Sequence, residues 1–98
     1  MKILLVEDEQ AIADTLIYAL GRDGFAVQHC TLGAQALALQ AATGFDLIVL
    51  DVGLPDTTGF ELLKQLRREP GAQDLPVLFL SARAEEIDRV LGLELGGG

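Results

Sequence analysis

Positive charge is scarce in this sequence. Seven Lys and Arg stand against fifteen Asp and Glu, for a formal net charge of −8. That excludes nucleic acid and anionic membrane surfaces as partners of this segment, because both need a basic footprint. A single cysteine, Cys30, excludes an internal disulfide. It is read as a reduced cytosolic thiol packed as a small hydrophobe on a strand. The only histidine, His29, is its chain neighbour. Adjacent strand residues point to opposite faces, so the two do not make a nucleophile–base pair. No apolar run approaches membrane-spanning length. No secretory leader is read at the start, where Lys2 is followed by four apolar residues and then Glu7. The expected location is the cytoplasm. Half of the residues are hydrophobic, which argues against disorder. The 98 residues are enough for one small domain and too few for two.

What is present alternates between short apolar runs and helical patterns. "ILLV" (Ile3 to Val6) is a continuous apolar run bounded by acids, which suits a strand buried on both faces. "AIADTLIYAL" (Ala11 to Leu20) sets Ile12, Leu16 and Leu20 on one helical face, with Ala13 and Ile17 beside them. Strands follow at Phe25 to Cys30, Asp46 to Asp51 and Val77 to Ser81. Between them lie a helix from Ala34 to Ala42 with Thr31 as its cap, and the helix "GFELLKQLRRE" capped by Thr57 or Thr58. Phe60, Leu63 and Leu66 form the apolar stripe of that second helix, and a last helix covers "AEEIDRVLGLEL". Strict β-α alternation predicts one α/β domain with a parallel sheet, right-handed crossovers and helices on both faces.

In such a sheet, ligands bind beyond the carboxyl ends of the strands. Strand one ends in Glu7-Asp8-Glu9, strand three in Asp51, and strand four in Ser81-Ala82. If these strands are neighbours, several carboxylates and a hydroxyl converge on one rim. Crowded carboxylates resist joint ionisation, and a hard cation relieves them. Mg²⁺ suits the set, since it takes one or two carboxylates, keeps waters and leaves room for phosphate oxygens. A strand-end aspartate beside it can act as nucleophile on a phosphoryl group. Each residue also has a plainer reading. Glu9 is read as the cap of the helix that follows, Ser81 alone is an ordinary strand-end hydroxyl, and Pro55 and Gly59 are loop punctuation.

At these residues the chain resembles a known family. "ILLVEDE", "DLIVLDVGLPDTTGFELLKQLR" and "PVLFLSARAEEIDRVLGLELG" look like the receiver domain of bacterial response regulators, in wording like the OmpR/PhoB class of transcription factors. The resemblance covers nearly the whole chain. It implies a flavodoxin-like (CheY-like) three-layer α/β/α fold with strand order 2-1-3-4. It implies Asp51 as phosphoacceptor, and Glu7 and Asp8 as the Mg²⁺-holding pair, Asp8 directly and Glu7 at least through water. Gly53 would lend its backbone carbonyl to the metal. Ser81 would hydrogen-bond the phosphoryl group and turn inward as a switch, and Ala82 would help form the phosphate-binding floor. The implied donor is a sensor histidine kinase, with small phosphodonors such as acetyl phosphate able to substitute.

In that family a fifth strand, a lysine–proline pair and a fifth helix follow the segment resembling "LGLELGGG". Residues 1–98 are therefore expected to be a receiver domain incomplete at its C-terminus. The fourth strand would then be an apolar open edge, and a homodimer or a strand- or domain-swapped oligomer is the expected consequence. Two other readings compete. One is a receiver-like interaction module without phosphorylation. The other is a Mg²⁺-dependent phosphohydrolase of the haloacid-dehalogenase type, against which Gly53 counts, because that class usually carries a second aspartate there.

Overall fold

The computed structural model describes residues 1–80. Seven elements alternate along them: β1 (Lys2–Val6), α1 (Gln10–Arg22), β2 (Ala26–Cys30), α2 (Gly33–Ala42), β3 (Leu47–Asp51), α3 (Gly59–Arg68) and β4 (Val77–Leu80). The helix expected over "AEEIDRVLGLEL" lies outside the described residues, as do Ser81 and Ala82. All strand pairings are parallel, in the order β2-β1-β3-β4. This is the flavodoxin-like sheet order that the family resemblance implies.

The order decides which helix covers which face. The chain steps from β1 to β2 on one side, crosses back to β3 on the other, and continues outward to β4. Right-handed crossovers then put α1 on one face and α2 and α3 on the opposite one. The two apolar clusters record this. Ile3, Leu5 and Val49 pack with Ala13, Leu16, Ile17 and Leu20 of α1. Leu4, Val6, Ile48 and Leu50 pack with Ala36 of α2 and with Leu62 and Leu66 of α3. Residues 3–6 and 48–50 are therefore buried whichever way they point, which is why both central strands are uninterrupted apolar runs. The edge strand β2 instead alternates, with Ala26 and Gln28 exposed.

Three local expectations are corrected. The first is Ile12, placed in the core-facing stripe of α1, which is 43% exposed. The first turn of α1 overhangs the strand ends, and Ile12 there lines a cleft rather than the core. Second, the buried row of α3 is Gly59, Leu62 and Leu66. Phe60 is 46% exposed and rests against Phe79, ring centroids 5.1 Å apart. Third, Thr31 does not cap α2. The first N–H groups of that helix, on Gly33 and Ala34, donate to the Asp56 carboxylate at 2.9 and 3.1 Å. These donors hold the Asp56 carboxyl below its ordinary range. Thr58 does cap α3, its Oγ1 accepting from the Glu61 N–H at 3.1 Å.

Gly59 is more than loop punctuation. It opens α3, and its N–H donates to the Val52 carbonyl at 2.7 Å. A Cβ there would lie 2.6 Å from the Asp51 carbonyl oxygen and 2.6 Å from Leu50 Cδ1. Backbone cannot yield as a side-chain tip can, so α3 seats against the end of β3 only through a glycine. Helix propensity alone favours alanine over glycine by about 1 kcal/mol. Gly59→Ala nevertheless lowers stability by about 1–2 kcal/mol, because overpacking outweighs that gain. Urea unfolding checks this, and an unchanged or raised midpoint would show that the contact relaxes freely.

Candidate functional site

The step out to β2 in one direction and to β4 in the other opens a crevice between the carboxyl ends of β1 and β3. Doubly wound sheets bind their ligands at such a point. Val6 pairs with Leu50, so Glu7 and Asp51, one residue further along, stand side by side. Carboxylate oxygens of Glu7, Asp8 and Asp51 lie within 4.8 Å of one another. Their environments are graded. Glu7 is 2% exposed, Asp51 is half-buried, and Asp8 is exposed.

Burial is the main force on Glu7 and pushes its carboxyl up to about 7. The Glu9 N–H, donating to Glu7 Oε2 at 3.0 Å, opposes the rise, while the Asp51 charge and hydrogen bonds to Asp8 and Asp51 add to it. Asp51 is raised too, again chiefly by burial, with the Gly53 N–H and the Glu7 side chain pulling the other way. A carboxyl that holds a proton near neutrality beside two others marks a place where positive charge is wanted. The donor set is all oxygen, which selects a hard cation. An octahedral Mg²⁺ with bonds of about 2.0–2.1 Å sets its oxygens roughly 3–4 Å apart. The observed cluster, its carboxylate oxygens within 4.8 Å of one another, is near that spacing and offers only oxygen, and so these residues fit the ion.

Other predicted site residues divide. Gly53 is exposed at the start of the β3–α3 loop, and its N–H reaches Asp51 Oδ1 only at a long 3.4 Å. A Cβ at Gly53 would meet nothing within 4 Å. An antiparallel bridge from Gly53 to Thr58 closes the loop. Ser81 and Ala82 lie outside the described residues, while Leu80, just before them, pairs with Asp51. Glu9 occupies the N-cap position of α1 but its side chain caps nothing, so the capping role expected of it is corrected to the backbone bond on Glu7. A cleft of about 570 Å³ runs beside the acids, lined by Asp51, Ile12, Thr15, Leu16 and Leu80 among others. It leaves Asp51 open to an incoming group.

Cys30 is buried in the core, and burial pushes its thiol up to about 11. It is a packing residue, as its sequence context suggests. His29 is the residue that sequence reasoning undervalued. Its Nε2 lies 2.7 Å from the main-chain oxygen of Glu7. Nothing in the local sequence signals that contact, which depends on the pairing of β1 with β2.

The raised Glu7 carboxyl has a consequence for stability. Its ordinary value is 4.5 and its folded value about 7, so the folded state holds the proton more tightly. That contribution is fully present below about pH 4.5 and is lost as pH rises through about 7. The metal-free chain is expected to lose several degrees of Tm across this window. Millimolar Mg²⁺ restores the loss by binding the ionised cluster, and Glu7→Gln flattens the pH dependence. Thermal melts with and without Mg²⁺ check this. Identical curves would remove the cluster as a metal site.

Comparison with known proteins agrees with this geometry. Residues 3–97 match the family described as the response regulator receiver domain. The chain is 54% identical over 94 residues to the transcriptional regulatory protein CreB of Escherichia coli, covering 96% of this chain and 40% of that protein. It is 47% identical over 95 residues to the alkaline phosphatase synthesis transcriptional regulatory protein PhoP of Bacillus subtilis, covering 97% and 39%. The chain thus spans about 40% of the length of these relatives. The non-phosphorylated HemR receiver domain of Leptospira biflexa superposes with a TM-score of 0.79 at 40% identity, covering 97% of this chain and 75% of that one. A response regulator structure from Chloroflexus aurantiacus gives 0.86 at 30% identity, covering 97% and 78%. With its sheet order, its acid-lined crevice and these relatives in agreement, the chain belongs to the response regulator receiver domain family.

Proposed function

We propose that this chain accepts a phosphoryl group on Asp51 from a sensor histidine kinase, in a Mg²⁺-dependent reaction, and thereby switches a transcriptional output. The observation that carries the reading is the placement of Asp51. It ends β3 beside the cleft, half-buried, with Glu7 and Asp8 within 4.8 Å. A lone surface aspartate would be a poor phosphoryl acceptor, whereas one set among metal-ligating acids is not.

In the transfer, an Asp51 carboxylate oxygen attacks phosphorus in line with the donor atom. The new O–P bond forms as the donor's P–N bond breaks, or its P–O bond when acetyl phosphate is the donor. The electron pair leaves with the donor, and an aspartyl-phosphate remains. Asp8 would hold Mg²⁺ directly, Glu7 at least through water, and Gly53 would offer its backbone carbonyl. When bound, the ion offsets the charge on the transferring oxygens. By the family resemblance, Ser81 would supply a hydroxyl to the phosphoryl group and Ala82 a backbone contact. The backbone seat of α3 on Asp51, made possible by Gly59, fixes the nucleophile's main chain. No helix among the described residues is long and apolar enough to cross a membrane; the cytoplasm, beside the kinase's catalytic part, is the setting proposed with this function.

Intact mass before and after incubation with acetyl phosphate and Mg²⁺ tests the proposal. One added phosphoryl group is expected, absent in Asp51→Asn and absent when the metal is chelated. No uptake by the wild-type chain would leave a receiver-like interaction module in place of a switch. Steady phosphate release from varied phosphomonoesters would favour the phosphohydrolase reading. The open space at Gly53 also sets an expected lifetime. Gly53→Met shields the acyl phosphate from water and slows its hydrolysis, as followed by the decay of the phosphorylated mass. Equal decay rates would remove that idea.

A further inference from the structure

We infer that His29 is a positioning residue for the acid site, acting through the peptide that joins Glu7 to Asp8. This rests on the reading of Glu7, Asp8 and Asp51 as a metal and phosphoryl site.

The pairing of β2 with β1 ends at Val6 and Cys30. One further backbone bond extends it, from the Glu7 N–H to the Cys30 carbonyl at 3.0 Å. The next polar atom of β1, the Glu7 carbonyl, has no strand left to accept from. His29 supplies the missing donor from its side chain, with Nε2 at 2.7 Å. A carbonyl only accepts, so Nε2 carries the proton, an assignment that follows from the partner. Both main-chain polar atoms of Glu7 are thus tied to β2, one by backbone and one by imidazole.

The consequence comes from peptide planarity. The Glu7 carbonyl belongs to the rigid unit that runs from the Cα of Glu7 to the Cα of Asp8. Both carboxylates hang from the two ends of that unit. A turn about the Glu7 Cα–C bond moves this carbonyl and carries Asp8 relative to the Glu7 side chain, and with it the spacing that fits a cation. The Glu9 N–H on Glu7 Oε2 fixes the side chain, but among the described residues only His29 donates to this carbonyl. Groups that orient metal ligands from outside the coordination sphere typically change metal affinity by about 10–100-fold when removed. His29 is half-buried and lines a separate cavity with Gln10, Cys30 and Gln35.

Two variants of the full chain separate this role from packing. His29→Phe keeps a ring of similar size and loses the donor. His29→Gln keeps a donating amide of comparable reach. Mg²⁺ affinity is measured by calorimetry well below Tm, with Asp8→Ala as the reference for a lost ligand. Hydrogen exchange of the Glu9 amide is followed in the metal-free protein. His29→Phe is expected to weaken Mg²⁺ about tenfold and to speed Glu9 exchange, while His29→Gln recovers most of both. A packing role would lower Tm in both variants and leave affinity and Glu9 exchange as in wild type, which overturns the inference. If Asp8→Ala binds Mg²⁺ as tightly as wild type, the metal reading fails and this inference with it. Loss in Asp8→Ala together with an unchanged His29→Phe overturns the inference alone.

Discussion

Parallel pairing of β1 with β3, buried on both faces, is the constraint on which the rest of this structure depends. Four consecutive buried apolar residues in one strand and three in the other require helices on both sides of the sheet. Right-handed connections then allow few arrangements, and the one adopted leaves a crevice where the chain reverses direction across the sheet. The register that pairs Val6 with Leu50 sets the two acids that follow side by side. Core packing and site geometry are consequences of one alignment.

The same alignment creates an electrostatic cost. Glu7 is 2% exposed and faces two other carboxyls. Removing it from water favours its neutral form, and Asp51 is pushed in the same direction. A scaffold that places charge in this way stores a preference for whatever brings positive charge to the crevice. The surrounding backbone is correspondingly well tied down. Asp56 closes the first turn of α2 from the β3–α3 loop, Thr58 caps α3, and Gly59 lets that helix rest on the Asp51 carbonyl. The loop after Asp51 is therefore joined to two helices and to the sheet.

Much of this was legible in the chain itself. Apolar runs marked the four strands, and Glu7, Asp8 and Asp51 stood out as acids at strand ends. The readings that failed share a cause. Ile12 and Phe60 satisfy helical spacing, yet the stripe that is buried depends on where each helix sits over the sheet. Thr31 is a good capping residue by type, but Asp56 reaches the same N–H groups from 22 and 23 positions away. Glu9 occupies a cap position without capping, and its N–H instead donates to Glu7.

What the sequence by itself determined is the alternation of elements, the two-sided burial of the central strands and the chemical identity of the acid cluster. These follow from periodicity and residue type, which are local properties. Only the tertiary structure decided which faces are covered, that Gly59 is required by a close approach, and that His29 holds the peptide between two acids. Each of those depends on atoms brought together from distant parts of the chain, His29 and Glu7 being 22 residues apart. Local pattern specifies an element and its chemistry, while strand register and helix placement specify its partners.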